Sequence, residues 1–287
     1  MSILNWNNSN LTRSCVLSVK SQTYTNFQIV VIDNDSKVDP VDQLIEEFPD
    51  IDFVKSLENL GYAGGHQLAV EYAINSGTEL VWLLNNDVSL GNDSLKNLVD
   101  AYLKNGKALY GSIPKSSHPV RVWKVDGNKP KFEEFVDVKS INDPIIPVSN
   151  LFGSSILIPI EVIKKHGFMD THFFLYGEET DYCLRLLKKG IHSYLVRDSV
   201  IDHQSQASTK GNRQLEKIAN YYRIRNHLFL IRRHQSFSSF FNLSLRYLQF
   251  EIIKLLKHRK VDPLALKSIL DSWAGRTGKT LKPEDFV

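Results

Sequence analysis

The chain of 287 residues contains 42% hydrophobic residues, 15 Gly, 10 Pro and 2 Cys. This composition supports a buried core and excludes a disordered, collagen-like or disulfide-stapled protein. The net charge of +3 argues against a whole-surface nucleic-acid binder, so no nucleic acid is expected as a partner.

The sequence also predicts a cytoplasmic location. No apolar run reaches the roughly 18 to 20 residues that a membrane-spanning helix needs. Met1 is followed by neither a basic nor an apolar leader segment. Cys15 and Cys183 are typical of free thiols in a reducing compartment.

Charge is distributed unevenly along the chain. Residues 209–260 contain 12 Lys or Arg and two acids, a segment charge of +10, which leaves −7 for the remainder. The shift coincides with a change in the spacing of apolar residues. The sequence therefore predicts a domain over 1–208 and a basic helical extension over 209–287.

In the first part of the chain, short β-branched runs alternate with helical patterns, which predicts an α/β fold with a mainly parallel sheet. After residue 93, the patterns predict a helix, a hairpin followed by an irregular loop, one more strand and then helices. The predicted strands are 27–32, 52–56, 79–84 and 151–158; the predicted helices are 10–21, 41–48, 65–76, 93–104, 180–189, 213–233 and 237–258; the hairpin lies near 120–125.

Asn85-Asn86-Asp87 directly follows the apolar strand 79–84. Ligands of parallel sheets bind at the carboxyl ends of strands. A carboxylate at that place can hold Mg²⁺ or Mn²⁺, which prefer oxygen ligands and keep positions open for substrate. The alternative is a turn without further function, because Asn and Asp are common turn residues.

Asn59-Leu60-Gly61-Tyr62-Ala63-Gly64-Gly65 leads into a predicted helix. Its glycines would permit close approach of the backbone to a ligand. The spacing matches neither the dinucleotide fingerprint G-x-G-x-x-G nor a P-loop. An ordinary loop is the alternative interpretation.

Glu178, Glu179 and Asp181 begin a predicted helix after the aromatic run 173–176. Partial desolvation in an aromatic pocket would raise the pKa of a carboxyl group and make it a better general base. The alternative is that these acids only complement the helix dipole. The residues themselves do not decide between Glu178 and Glu179.

His203 ends the run Val200-Ile201-Asp202-His203, a polar stop after an apolar strand. This strand would return the chain to the same crevice, where a neutral imidazole could complete a metal site. Taken alone, a single histidine is more often a surface or core residue than a ligand.

These features occur in an order that resembles a known family. The matching pieces are Asn5-Trp6-Asn7, Val31-Ile32-Asp33-Asn34 with Ser36, 59–65, 84–87, Gly153, 176–185, His203, 222–226 and 274–279. Together they span nearly the whole chain and resemble glycosyltransferase family 2, particularly its rhamnosyltransferase-like, cell-surface polysaccharide branch.

The resemblance implies a glycosyltransferase-A fold and inverting transfer from a UDP- or dTDP-sugar with Mn²⁺ or Mg²⁺. It implies an acceptor that is a saccharide or a polyprenyl-linked saccharide. It assigns Asp87 and His203 to the metal and Glu179 to the catalytic base. The donor-binding residues that it implies are Asn5, Asn7, Asp33, Asn34, Asn59, Gly61, Gly64, Gly65, Asn85 and Asn86.

Two positions depart from the family pattern. Glu179 stands where the family usually has Asp, and few residues precede Asn5, so the first strand is expected to be shortened or to begin upstream. These departures leave open a catalytically impaired nucleotide-sugar-binding or scaffolding protein. A nucleotidyltransferase is a weaker rival, since 11–13 offers no Gly-rich basic loop.

The basic extension has two interpretations. Its amphipathic helices would either pack on the catalytic domain or bind an anionic membrane surface through 209–260, at the inner face of the cell membrane.

Overall fold

A mixed sheet forms the centre of the structure, a computed structural model that describes residues 1–39, 41–115, 121–127, 129–203, 211–259 and 261–286. The strands are β1 (Ser2–Asn5), β2 (Val30–Asp33), β3 (Asp52–Lys55), β4 (Leu80–Asn85), β5 (Val88–Leu90), β6 (Leu109–Pro114), β7 (Arg121–Asp126), β8 (Lys129–Asp137), β9 (Ile145–Val148), β10 (Ser155–Pro159) and β11 (Ser193–His203). The helices are α1 (Ser9–Lys20), α2 (Asp42–Glu47), α3 (Gly61–Asn75), α4 (Ser94–Asn105), α5 (Ile160–His166), α6 (Glu178–Leu187), α7 (Arg213–His234), α8 (Phe237–His258) and α9 (Pro263–Trp273).

The sheet has the order β3-β2-β1-β4-β10-β6-β11-β5, and β9 also pairs with β11. Strands β1, β2, β3, β4, β6 and β11 run in one direction, whereas β5, β9 and β10 run in the opposite direction. The carboxyl ends of β1, β2, β4, β6 and β11 therefore lie along one edge. This arrangement confirms the predicted α/β class with a mostly parallel sheet.

Alternation along the strands builds a core on each face of the sheet. Trp82 and Leu84 of β4 pack with α1 and α4, whereas Val81 and Leu83 pack with α3, α5 and α6. Burial on both faces explains why β4 is apolar at consecutive positions.

The predicted boundaries differ from the structure at several elements. Helix α3 begins at Gly61 instead of Gly65, and β2 begins at Val30 instead of Phe27. Strand β1 is short but pairs with both β2 and β4. Strands β5, β6 and β9 and helices α5 and α9 were not predicted. Strand β9 forms at Ile145–Val148, where the end of an irregular loop was expected, and Gly111 and Ser112 interrupt the apolar pattern of β6.

The predicted hairpin is confirmed as β7 paired with β8, although its start at Val120 and its turn residue Asn128 lie outside the described residues. The predicted domain boundary near residue 208 also lies outside them.

Helices α7, α8 and α9 pack together around Leu228, Phe240 and Ala265. On its other side, α7 places Tyr221 and Tyr222 against Phe174, which precedes α6. The extension is thus joined to the loop before α6 by buried aromatic residues. In the described part of the chain, none of the helices combines the length and the apolar character needed to cross a membrane.

Candidate active site

A cavity of about 460 Å³ opens at the carboxyl edge of the sheet. Residues from β1, β4 and β11, from the loops before β10 and α6, and from α7 line it. Eight of them have a donor, metal or base role in the family resemblance: Asn34, Asn59, Gly61, Asn85, Asn86, Asp87, Glu179 and His203. The crevice predicted from the strand ends therefore exists.

Asp87 and His203 meet because β5 and β11 are antiparallel neighbours, with His203 opposite Val88. The Nε2 atom of His203 lies 3.2 Å from Oδ1 of Asp87. Asp87 is 8% exposed, and its Oδ1 accepts no hydrogen bond from the described residues. A buried carboxylate oxygen without a donor is unusual and is suited to bind a cation.

The two side-chain atoms that meet here are suitable ligands for a divalent cation. They are a carboxylate oxygen and an imidazole nitrogen, which suit Mn²⁺. No group of three or more His, Cys, Asp or Glu capable of holding a metal occurs in the parts of the chain that the structure describes. Two protein ligands leave most coordination positions to the substrate and water.

Asn86 is anchored from below by a polar network. Its Nδ2 donates to Thr12 Oγ1 at 3.0 Å and to Asn5 Oδ1 at 3.3 Å. Asn5 is fully buried, and its Nδ2 donates to Asp33 Oδ1 at 3.2 Å. Asn5 and Asp33 therefore support the cavity floor, and neither is among the described residues that line it.

Asn7 lies in a turn with a φ of 52° and connects β1 to the segment after β2. Its backbone N–H donates to Ser36 Oγ at 2.8 Å, and its Oδ1 accepts from the backbone N–H of Lys37 at 2.7 Å. Among the described residues, its buried Nδ2 has no hydrogen-bond partner, and neither has Nε1 of the neighbouring Trp6, which lines the cavity. Trp6 thus brings an unused N–H group to the cavity wall, whereas Asn7, which was expected beside the donor, is not among the described lining residues.

Asn34 and Asn59 fix the start of α3. Asn34 Nδ2 donates to Asn59 Oδ1 at 3.2 Å and to Gly61 O at 3.1 Å, and Gly61 N donates to Asn59 Oδ1 at 2.9 Å. Gly61 has a φ of 71°, and a Cβ there would lie 2.0 Å from Phe174 O. Glycine is therefore required at this point, where α3 contacts the loop before α6.

Gly64 and Gly65 face the protein interior instead of the cavity. A Cβ on Gly65 would lie 2.5 Å from Leu4 Cδ1, and one on Gly64 would lie 2.7 Å from Leu60 Cβ. These two glycines let α3 pack closely, and neither is among the described cavity-lining residues.

Glu178 and Glu179 both line the cavity at the start of α6. Glu178 is 2% exposed, and no described residue donates a hydrogen bond to its Oε2. Burial, followed by the charge of Glu179, raises the pKa of Glu178 well above 4.5. Burial also raises the pKa of Glu179 above 4.5, and backbone N–H groups of the helix start offset part of this. Both carboxyl groups thus have the raised pKa of a general base.

A second cavity, of about 410 Å³, adjoins the first. It lies between β7 and the helices α7 and α8. Four residues line both cavities: Asn150, Tyr176, Glu179 and Arg223. The second also contains Trp123, His227 and Tyr247, whereas Glu178 lines only the first. Glu179 therefore lies at the junction of the two cavities.

Arg225 and Asn226 of α7 hold the loop 173–177 that carries this junction. Asn226 Nδ2 donates to the carbonyl oxygens of Phe173, Leu175 and Tyr176 at 2.8, 2.8 and 2.9 Å. Arg225 is 1% exposed, and its Nη2 donates to Phe173 O at 3.0 Å. Because Phe174 and Tyr176 both have positive φ, these bonds stabilise a conformation that L-residues rarely adopt.

Arg223 had no predicted role, although the segment 222–226 is part of the family resemblance. Arg223 is the one Lys or Arg among the described residues that line the first cavity. The signal was present in the spacing: Arg223, Asn226, His227 and Leu230 recur at helical intervals and line one side of the second cavity. What the helix faced could not be known from this pattern.

Comparison with known proteins gives the family. Residues 3–157, more than half of the chain, match the model of glycosyl transferase family 2. The chain belongs to glycosyl transferase family 2. It is 22% identical over 278 residues to the low-salt glycan biosynthesis hexosyltransferase Agl10 of Haloferax volcanii, covering 90% of this chain and 85% of that protein. It is 24% identical over 217 residues to the dTDP-rhamnosyl transferase RfbF of Shigella flexneri, covering 72% of each.

Solved structures give the fold. The mannosyltransferase PcManGT of Pyrobaculum calidifontis, in complex with GDP-Man and Mn²⁺, superposes with a TM-score of 0.60 at 16% identity, over 96% of this chain and 73% of that one. GalNAc-T7 with UDP, GalNAc and Mn²⁺ gives a TM-score of 0.60 at 13% identity. The superposition covers 80% of this chain and 47% of that one. The protein is a glycosyltransferase with the glycosyltransferase-A fold.

We expect Asn226→Asp to destabilise the protein, because a carboxylate of the same shape would face three carbonyl oxygens without hydrogens to donate. The free energy of unfolding should fall by more than about 2 kcal/mol, measured by urea denaturation. The matched control is Asn105→Asp at the exposed end of α4, where Nδ2 makes one bond to Ala101 O; its change should stay within about 0.5 kcal/mol. Equal losses in the two variants would contradict the assigned role of Asn226.

Proposed function

We propose that the protein is an inverting, metal-dependent glycosyltransferase that moves a sugar from a nucleoside-diphosphate donor to a saccharide acceptor in surface-glycan synthesis. The observation that carries the proposal is the arrangement of the two cavities. Asp87 and His203 lie in the first, and Glu179 lies where it joins the second. In this arrangement the leaving group would lie beside the cation in the first cavity, and the base would face an acceptor in the second.

The donor would occupy the first cavity. Trp6 offers an aromatic surface and an unpartnered Nε1, and Asn34, Asn59 and Asn86 supply polar groups around it. Arg223 supplies a positive charge suited to a diphosphate. The relatives support nucleotide-sugar chemistry, since RfbF is named for a dTDP-sugar and PcManGT contains GDP-Man.

Asp87 and His203 would hold Mn²⁺ or Mg²⁺ together with the donor diphosphate. When bound, the cation would neutralise the negative charge of the departing nucleoside diphosphate. Asn86, fixed by Thr12 and Asn5, keeps the chain that carries Asp87 in place. Because the protein offers two ligands, cation and donor should bind more tightly together than separately.

Glu179 would take the proton of the acceptor hydroxyl as that oxygen attacks the anomeric carbon on the face opposite the leaving group. Its raised pKa favours this role. Glu178 lines only the first cavity, on the donor side. This difference in position favours Glu179, as the family resemblance does, whereas the residue pattern by itself left the choice between the two acids open.

The acceptor would enter through the second cavity. Trp123 and Tyr247 offer aromatic surfaces there, and His227 and Arg223 offer polar groups. Such a mixture suits a saccharide, which presents apolar C–H faces and a rim of hydroxyl groups.

For Asp87, the expected result is a loss of cooperation between cation and nucleotide. Calorimetric titration of UDP, dTDP or GDP into wild-type protein should show at least tenfold tighter binding with Mn²⁺ than without it. Asp87→Asn should lose most of this gain and bind the nucleotide without Mn²⁺ about as before. Glu58→Gln, an exposed acid beside the cavity loop, serves as control. An undiminished Mn²⁺ effect in Asp87→Asn would refute the metal assignment.

For Glu179, the two neighbouring carboxylates provide an internal comparison. Glu179→Gln should bind the nucleotide normally but lose about 10²- to 10⁴-fold in turnover, whereas Glu178→Gln should retain most of its turnover. The base must be deprotonated, so kcat/KM should fall with acidification through a pKa above 4.5. Steady-state kinetics over a pH series measures both. Near wild-type turnover in Glu179→Gln would show that another group is the base, and no turnover in wild-type protein with Mn²⁺ and a donor panel would favour a catalytically impaired binder.

A further inference from the structure

Helix α8 presents a continuous row of large apolar side chains to solvent. They follow one another at intervals of three or four residues, apart from the adjacent last pair, and so form one stripe along the helix. The stripe consists of Phe237, Phe241, Leu245, Leu248, Ile252, Leu255 and Leu256, which are between 39% and 78% exposed.

This stripe is distinct from the side of α8 that packs in the core. Phe240, Ser244 and Glu251 are buried, and Phe240 packs with Leu228 of α7 and Ala265 of α9. These positions are displaced around the helix from the stripe. Helix α8 therefore has one apolar side that packs against α7 and α9 and a second apolar side that is exposed.

Helix α9 enlarges the exposed surface. Its Trp273 is 41% exposed, and its ring lies 5.9 Å from that of Phe237 and 6.1 Å from that of Phe241. Leu270 is 69% exposed one turn earlier. The stripe and this aromatic cluster form one contiguous exposed apolar surface, whereas ordinary protein surfaces expose large apolar residues singly.

The charges on α8 indicate what covers the stripe. Arg246, Lys257 and Arg259 are exposed at or beside the helix. Its single acid, Glu251, is buried and accepts from Lys254 Nζ at 2.7 Å and from the backbone N–H of Asp262 at 3.1 Å. Among its described residues, α8 thus exposes basic charge and no acidic charge. By the helical repeat, Arg246 and Lys257 lie on the side of α8 opposite the stripe. An apolar face with a basic opposite face is the pattern of a helix that lies at a membrane interface, and an anionic lipid surface complements its charge.

We infer that α8 is a membrane-docking helix, with its apolar stripe inserted at the interface of a bilayer that contains anionic lipid. The expectation from the sequence covered all of 209–260, but Leu230 of α7 and Phe240 of α8 are buried. The structure narrows the membrane surface to α8 and the exposed residues of α9.

The same helix connects this surface to the proposed acceptor cavity. Tyr247 lines the second cavity from α8. Because the stripe and Tyr247 lie on different sides of α8, a bilayer bound along the stripe would lie roughly 10–12 Å, one helix diameter, from that cavity. This part of the inference rests on the proposed function: it predicts an acceptor whose anchor remains in the membrane while its saccharide enters the second cavity.

The test is co-sedimentation of the full chain with vesicles of phosphatidylcholine alone or with one quarter phosphatidylglycerol, at low and high salt. Wild-type protein should bind the anionic vesicles, and more weakly at high salt. Leu248→Glu with Ile252→Glu should reduce the bound fraction at least tenfold. The matched control is Leu57→Glu with Leu103→Glu, which adds the same charge at positions that are 98% and 72% exposed elsewhere; it should bind nearly as wild type.

Absence of wild-type binding to anionic vesicles, or equal binding by the two double variants, would overturn the inference. Light scattering after size-exclusion chromatography tests the alternative occupant. If wild-type protein is a dimer that does not bind vesicles, and only the α8 double variant is monomeric, a second copy of the chain covers the stripe. Nucleotide binding by all variants confirms folding. Because the vesicle assay needs neither donor nor acceptor, its failure would leave the transferase proposal standing, and failure of transfer would leave the docking result standing.

Discussion

The buried carboxylate of Asp87 imposes the constraint around which the site is built. An ionised group with an unpartnered oxygen in the interior is costly unless a cation or donor compensates it. The pairing of β5 with β11 brings His203 Nε2 to 3.2 Å from that oxygen. Below them, Asn86, Thr12 and Asn5 hold the end of β4 without supplying another charge. The proposed cation, shared with the diphosphate of the donor, would compensate this carboxylate and bring the remaining coordinating groups.

The other half of the chemistry depends on the part of the chain beyond the family match at residues 3–157. Glu179 lies on a loop and helix start that Arg225 and Asn226 of α7 hold through backbone carbonyl groups. Helix α7 also supplies Arg223 to both cavities, and α8 supplies Tyr247 to the second. The C-terminal helices thus position the proposed base and line the proposed acceptor cavity, while α8 leaves a separate apolar surface exposed. Transfer and membrane docking would be joined through two sides of one helix.

The sequence predicted the features that depend on local pattern. Buried strands such as β4 have consecutive apolar residues, and polar residues after strand ends identified the crevice that contains Asp87 and Asn86. Family resemblance added His203 and Glu179. Features set by long-range packing were not predictable: Asn5 and Gly65 were expected beside the donor, yet Asn5 supports Asn86 from below and Gly65 makes room for Leu4. The second cavity forms between elements far apart in sequence, so no local pattern could show that Glu179 lies at its boundary.

Pulsed electron paramagnetic resonance of Mn²⁺ bound to the full chain with a nucleoside diphosphate tests the shared cation site most directly. The account predicts nitrogen modulation from a coordinated imidazole, lost in His203→Ala, together with phosphorus coupling from the diphosphate in the same complex. An Mn²⁺ signal without nitrogen modulation in wild-type protein, or with modulation that persists in His203→Ala, would contradict it.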